Sequence, residues 1–565
     1  MVIENILPPA NPEANLQDYD RTYQTFHWEA VEREFSWHLT GKVNIAHEAI
    51  DRHADDPLRR DRYCLIYEDE ERGARITYRA MRDLSNKFAN VLTDLGVKQG
   101  NRVFIFLPRC PEYYIALAGC AKAGAVFSPL FEALMEMAVR ERLRDSGAAV
   151  VVTTPLMASR IPLNELSDLR VILVGAGDSR LSPGAVSWEQ AMARASSDFA
   201  MVWLDLDDPL YIIYTSGSTG EAKGVLHVHR DMVGYLITAR WVLDLKENDC
   251  LWTAAEPGWI TGTVYGAFAP WLCGVNNFVW GGRFDPQTWC RSIDTHRITV
   301  WYATPSVFSR LMQQEQELTR VADLRSLRHI LSAGEPLPAA LVFWGKRFFK
   351  TPIHDTWWMT ETGMIMISQY PGMPIKPGSI GRPFPGIVAA IVDDHGTALP
   401  PLTLGDLAIK KGWPAMMRGI WHDDKRYAHY FIREPWFISG DLAYMDEDGY
   451  FYVQGREDHQ IKVDGAMISA TEVEEALRRH PAVADAGVVG EQDPKRGMVI
   501  KAFIALKPGA SPSPALQKEI KEFMRRHFSP RIIPRVIEFR ATIPRGADGL
   551  VSRRSLKAWA LGLPG

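Results

Sequence analysis

Paired cysteines are missing from this chain. Its 565 residues hold only Cys64, Cys110, Cys120, Cys250, Cys273 and Cys290. None forms a CxxC pair, so zinc-ligand spacing is absent and a disulfide framework is not expected in a chain this large. Long apolar runs are missing too. The apolar stretches in the 300s and 330s stop short of the ~18–20 residues that a membrane helix needs. The first twenty residues carry no basic segment ahead of an apolar one, so no secretory signal is expected. The closing LGLPG is not a targeting tail. Positive charge is not in excess: the net charge is −4, with 23% of residues charged. That speaks against nucleic acid as the main partner and against wholesale disorder. Fixed-period repeats and low-complexity tracts are also absent. The expected setting is a reducing cytoplasm, with no membrane or nucleic-acid partner and a monomer or homodimer as the assembly.

What is present is a long chain that is 46% hydrophobic, too long for one compact core. From about residue 75 to 345, short apolar runs alternate with helix-length amphipathic segments. RVFIFL (102–107), AVVVTT (149–154), LRVILVG (169–175), LYIIYT (210–215) and ITVWYAT (298–304) are such runs. This alternation predicts βαβ units around buried, mostly parallel sheets. From about 380 to 455 the texture changes to short strands with turn residues. The DEDG turn at 446–449 sits between two strand-like runs and predicts a hairpin. A boundary is expected near Gly455–Asp458, dividing residues 1–455 from 456–565. The last 110 residues hold 19 Lys and Arg against 13 Asp and Glu. Ser469-Ala-Thr-Glu472 is a capping box that opens a helix through about Arg479. Strands at AGVVG and IKAFIALK and a helix over roughly 513–528 complete a small α+β unit.

The most informative segment is Tyr214-Thr-Ser-Gly-Ser-Thr-Gly-Glu-Ala-Lys-Gly224, directly after an apolar run. Gly217 and Gly220 let backbone N–H groups approach phosphate oxygens. Thr215, Ser216, Ser218 and Thr219 add hydroxyl donors, and Lys223 adds a charge. It is not a Walker A loop, which needs four residues between its glycines and a Ser or Thr after the lysine. Val174-Gly-Ala-Gly177 hints at a dinucleotide turn, but Arg180 stands in the third glycine's place.

The segment resembles the phosphate-binding loop of the acyl-adenylate-forming superfamily, which includes acyl-CoA synthetases, luciferases and peptide-synthetase adenylation domains. The match continues in order through Tyr302-Ala-Thr-Pro305, Gly334-Glu-Pro336, Asp355-Thr-Trp-Trp-Met-Thr-Glu-Thr-Gly363, Ser439-Gly-Asp441 and Gly455-Arg-Glu-Asp458. The implied fold is α/β. A large N-terminal domain of αβ-layered sheets has a small β-barrel-like part, and a small mobile α+β C-terminal domain follows. The implied substrates and cofactors are ATP, Mg²⁺, coenzyme A and a small carboxylic acid. The resemblance places Glu361 as the Mg²⁺ ligand and Thr360 on the α-phosphate. Asp441 falls on the ribose hydroxyls, and Arg456 on the ribose or α-phosphate. Gly334, Glu335, Pro336, Asp355, Thr356 and Trp357 would line the adenine pocket. Asp458 falls at a hinge, and Gly465 beside the path of pantetheine.

The texture of DTWW, GWITG and KPGSIGRPFPG (376–386) is similar to acetyl-CoA synthetases. There Trp259 resembles a tunnel-wall tryptophan and Trp358 the residue that closes the acyl pocket, with Ile260, Thr261 and Ala333 beside it. Ala333 stands where acetate enzymes carry a valine. An acid slightly larger than acetate is therefore expected: propionate, a branched C4 acid or a 2-hydroxy acid such as 2-hydroxyisobutyrate. Two positions depart from the pattern. Leu550 in Pro544-Arg-Gly-Ala-Asp-Gly549-Leu550 takes the place of a lysine that bridges carboxylate and adenylate, which implies a slowed first half-reaction. Met467 takes the place of a frequent arginine. The competing readings are a carrier-protein-loading enzyme and a non-catalytic nucleotide-binding descendant.

Overall fold

A computed structural model describes residues 6–9, 11–177, 184–216, 222–393, 395–403, 405–456, 460–463, 466–493, 497–545, 551 and 553–560. The five apolar runs singled out above all form strands: Arg102–Phe106, Val150–Thr153, Arg170–Leu173, Pro209–Ser216 and Val300–Ala303. The first four lie in one eight-stranded sheet. Its neighbours from 209–216 across to 185–187 run parallel. The parallel strands are nearly continuous in apolar residues because both faces are covered. At one side Pro209–Ser216 turns back on itself. It pairs antiparallel with Ala222–Val228, in the register Thr215↔Lys223 and Ser216↔Ala222.

A nine-stranded sheet lies in the same part of the chain. Val300–Ala303, His329–Ser332 and Ile353–Trp357 are consecutive parallel neighbours there. A single buried apolar cluster includes residues from both sheets, among them Phe127, Ile213, Tyr302 and Trp357. The texture change near 380 corresponds to a four-stranded antiparallel sheet of Ala389–Val392, Gly405–Lys410, Trp436–Met445 and Phe451–Arg456. Its DEDG turn is held by Asp446 Oδ1, which accepts from the backbone N–H of Asp448 and Tyr450.

Past residue 460 the described residues form a two-stranded and a three-stranded sheet with their own apolar cluster around Val473, Ile504 and Ile520. Ser469 Oγ accepts from Glu472 N–H and caps the helix Ala470–Arg478. This unit rests on the large one. The strand Ala466–Ser469 packs against Pro209–Ser216. Arg531 pairs with Glu256 at 2.8 Å and lies over the Phe131 ring. Among the described residues, no helix is long and apolar enough to cross a membrane.

Candidate functional site

The antiparallel strands Pro209–Ser216 and Ala222–Val228 set Thr215 and Lys223 opposite one another, one pair before the ladder ends at Ser216↔Ala222. Gly224 beside Lys223 has no room for a side chain: a Cβ would meet Ile212 Cγ2 at 2.8 Å and Trp421 Cβ at 3.1 Å. Gly217, Ser218, Thr219 and Gly220 lie outside the described residues, as does the side chain of Ser216. The Thr215 hydroxyl is buried and has no hydrogen-bond partner among the described residues.

Lys223 reaches across to the strand end at 353–357 and the turn after it. Its ammonium lies 2.6 Å from Glu361 Oε1. The same ammonium donates to the Tyr430 hydroxyl, which donates to Glu361 Oε1 at 2.9 Å. The three groups close a small polar ring. Burial pushes the Glu361 carboxyl up, but the charge and hydrogen bond of Lys223 outweigh it and hold it down at about 2. Burial likewise pulls Lys223 down, and Glu361 with Tyr430 raises it above the ordinary lysine value. Both groups are thus held ionised by each other. No motif marked Tyr430. Its only sequence signal is an aromatic residue before FIREP, and folding alone brings it to Glu361, with its ring stacked on Phe437 at 5.3 Å.

Thr360 and Glu361 sit on a tight turn, Thr360–Thr362, that ends at Gly363 with φ +71°. Behind it stands a residue the motifs also did not mark. His227 Nε2 lies 2.8 Å from the Thr360 carbonyl, and His227 Nδ1 lies 2.6 Å from Asp231 Oδ2. His227 and Asp231 are both fully buried. A side chain at Gly363 would strike the His227 ring and the Ala415 carbonyl.

Strand alternation on Ile353–Trp357 separates the expected adenine-pocket residues. Trp357 donates through Nε1 to Asp441 Oδ2 at 2.7 Å. Asp441 lies on Trp436–Met445, opposite Arg456 in the neighbouring strand. The Arg456 side chain is outside the described residues. Thr356 points the other way: its hydroxyl donates to the Ser332 carbonyl at 2.8 Å and meets the Tyr302 hydroxyl at 2.6 Å. Asp355 Oδ1 accepts from the Thr356 N–H. Glu335 accepts from Ser306 Oγ at 2.9 and 2.6 Å, Gly334 has φ +98°, and Pro336 is exposed.

Ile260, Ala333, Trp357 and Trp358 belong to one buried apolar cluster, and Thr261, which follows Ile260, is half-buried. Trp259 meets Phe131 edge-to-face at 6.1 Å. Phe131 also carries Arg531, at a cleft of about 410 Å³ lined by Arg109, Arg160, Glu256 and Arg531, among others. Asp458, Gly465 and Leu550 lie outside the described residues, as does the Met467 side chain.

A buried, ionised Lys–carboxylate pair next to the Ser/Thr/Gly-rich segment 214–224 puts a positive charge where phosphate oxygens could be received. The family model described as AMP-binding enzyme matches residues 51–421, and that of the AMP-binding enzyme C-terminal domain matches residues 472–549. The chain belongs to this family, the acyl-adenylate-forming superfamily, and within it to the acetyl-CoA synthetase-like, AMP-forming ligases. It is 48% identical to an acetyl-coenzyme A synthetase of Bacillus subtilis (strain 168), covering 99% of this chain and 98% of that one. It is 36% identical to an acetyl-coenzyme A synthetase of Methanothrix thermoacetophila, over 94% of this chain and 84% of the relative. Among solved structures, a Brucella canis acyl-CoA synthetase superposes with a TM-score of 0.72. That structure is 29% identical, and the match covers 96% of this chain and 99% of that one.

Proposed function

We propose that this ligase activates a C2–C4 carboxylic acid with ATP and transfers the acyl group to coenzyme A. The observation that carries the reading is the Lys223–Glu361–Tyr430 ring at the root of the 214–224 hairpin. In the first displacement the acid's carboxylate oxygen attacks the α-phosphorus of ATP, and pyrophosphate leaves. In the second the CoA thiol attacks the acyl carbon, a C–S bond forms, and AMP leaves as the thiol proton is lost. No protein nucleophile is needed, because positioning and charge complementarity supply the catalysis.

The chain's residues divide that work. The hairpin's backbone N–H groups and hydroxyls cradle the triphosphate, and Thr215 offers a hydroxyl that has no partner among the described residues. Lys223 exchanges Glu361 for phosphate oxygens. Thr360, held from behind by His227, addresses the α-phosphate. Asp441, oriented by Trp357, accepts from the ribose hydroxyls, and Arg456 supports the ribose or α-phosphate. Gly334, Glu335, Pro336 and Asp355 border the adenine. Thr356 contributes its place on the strand, since its hydroxyl is committed to Tyr302 and Ser332.

Glu361 also fits a divalent cation. It is the ionised, buried carboxylate that a hard cation prefers. Bound there, Mg²⁺ would neutralise charge developing on the triphosphate.

The cleft at Arg109, Arg160 and Arg531 carries three arginines against Glu132 and Glu256, the latter paired with Arg531, and this excess of positive charge supports an anionic thiol substrate of the CoA kind. Asp458 as hinge and Gly465 as the glycine beside pantetheine complete the proposal, with residues 1–455 and 456–565 as the two moving parts. Trp358 closes the acyl pocket and Ala333 enlarges it, which favours propionate, a branched C4 acid or 2-hydroxyisobutyrate over acetate. Leu550 slows adenylation and spares thioester formation. The test is a panel of C2–C6 acids, including 2-methyl and 2-hydroxy forms, with ATP and CoA. Acyl-CoA, AMP and pyrophosphate in equal amounts from C3–C4 acids support the reading. Repeated turnover to AMP without CoA, or equal rates with hexanoate and benzoate, would refute it.

A further inference from the structure

The indole of Trp358 stands at the head of a hydrogen-bond chain whose direction is forced. An indole N–H can only donate, and a backbone carbonyl can only accept. Trp358 Nε1 donates to the Tyr302 hydroxyl at 3.0 Å. The Thr356 hydroxyl donates to the Ser332 carbonyl at 2.8 Å, so it accepts from Tyr302 at 2.6 Å. Every hydroxyl proton between the indole and the carbonyl is assigned, and all four residues are buried.

A second directed chain braces the same ring from the side. Tyr265 meets Trp358 edge-to-face at 4.9 Å and 88°. Its hydroxyl accepts from Ile365 N–H at 3.0 Å and donates to Thr238 Oγ1 at 2.8 Å, which donates to the Gly234 carbonyl at 2.6 Å. Neither tyrosine can rotate its hydroxyl without orphaning a buried polar group, which is costly in an apolar surround.

We propose that Tyr302 is a positioning residue for acid length: it pins the indole of Trp358 so that the wall of the acyl pocket cannot retract. The inference rests on the reading of Trp358 as that wall. Tyr302→Phe keeps the ring and removes the acceptor. Trp358 is then left with an unpaired buried N–H and is released to side-chain positions that deepen the pocket.

The experiment compares kcat/KM for hexanoate with kcat/KM for propionate in the full chain. A ratio within one enzyme cancels any general slowing of adenylation. Tyr302→Phe raises the ratio about tenfold, which corresponds to about 1.4 kcal/mol. Thr356→Val, which breaks the chain one link further on, shifts it in the same direction and guards against a Tyr302 variant that fails to fold. Trp358→Gly raises the ratio further, and adding Tyr302→Phe to it changes the ratio less than about twofold, because no indole remains to be held. A ratio unmoved by Tyr302→Phe and Thr356→Val, but raised by Trp358→Gly, overturns the inference and leaves the pocket assignment standing. A ratio unmoved by Trp358→Gly overturns both.

Discussion

Lys223→Met tests the site's electrostatics without any substrate. In the wild-type chain Lys223 holds the buried Glu361 carboxyl at about 2, against an ordinary value of 4.5. A carboxyl depressed on folding stabilises fully above pH 4.5, and the contribution is lost as pH falls towards 2. That shift corresponds to about 3 kcal/mol. Replacing the ammonium with a thioether of similar length leaves the carboxylate buried with a backbone N–H and the Tyr430 hydroxyl but no opposite charge. Burial then dominates and raises the carboxyl above its ordinary value. At pH 7 the variant should lose about 3 kcal/mol, in line with breaking other buried pairs. The gap should narrow as pH is lowered and the lone carboxyl takes up a proton. Lys223→Met combined with Glu361→Gln should recover most of the loss at pH 7, since no charge is left uncompensated. The assay is urea unfolding followed by tryptophan fluorescence, from pH 3 to 8. A Lys223→Met cost below about 1 kcal/mol at pH 7, or a cost independent of pH, would refute the reasoning.

Three further outcomes follow from the same site. Leu550→Lys should raise the rate of acid-dependent pyrophosphate release roughly 10²–10³-fold and leave thioester formation from supplied acyl-adenylate nearly unchanged; equal pyrophosphate rates would count against a slowed first step. Ala333→Val adds two methyl groups to the proposed pocket. It should shift kcat/KM towards acetate over 2-hydroxyisobutyrate by about tenfold or more, since each methylene is worth roughly 1–3 kcal/mol in such a pocket; an unchanged ratio would remove Ala333 from the pocket. His227→Leu takes away the donor to the Thr360 carbonyl and leaves Asp231 without its imidazole. It should lower kcat for adenylation about ten- to a hundredfold with a smaller change in the KM for ATP; a change confined to KM would place His227 outside transition-state support.

Much of this was legible in the chain before folding, for reasons that differ by residue. The parallel strands announced themselves because burial on both faces forces continuous apolar runs such as LYIIYT and ITVWYAT. The turn at 446–449 and the capped helix at Ser469 were equally plain, because local hydrogen bonds dictate both. Lys223, Glu361 and Asp441 were visible because spacing within motifs is a sequence property. Tyr430 was not, since it stands 69 residues from Glu361 and its role depends only on where the chain returns. His227 was hidden for a related reason: a histidine inside an apolar strand reads as core until its partners, Asp231 and the Thr360 carbonyl, are seen. The commitment of the Thr356 hydroxyl to Tyr302 depends on which way each side chain of Ile353–Trp357 faces, and a motif does not encode that.

The most direct test of the account is isotopic. The acid is supplied with ¹⁸O in its carboxylate, and AMP, pyrophosphate and acyl-CoA are analysed by mass spectrometry after a single turnover. Attack by the acid on the α-phosphorus puts one ¹⁸O into AMP and none into pyrophosphate. Label in pyrophosphate or free phosphate, with AMP unlabelled, would contradict an acyl-adenylate and with it the role assigned to the 214–224 hairpin.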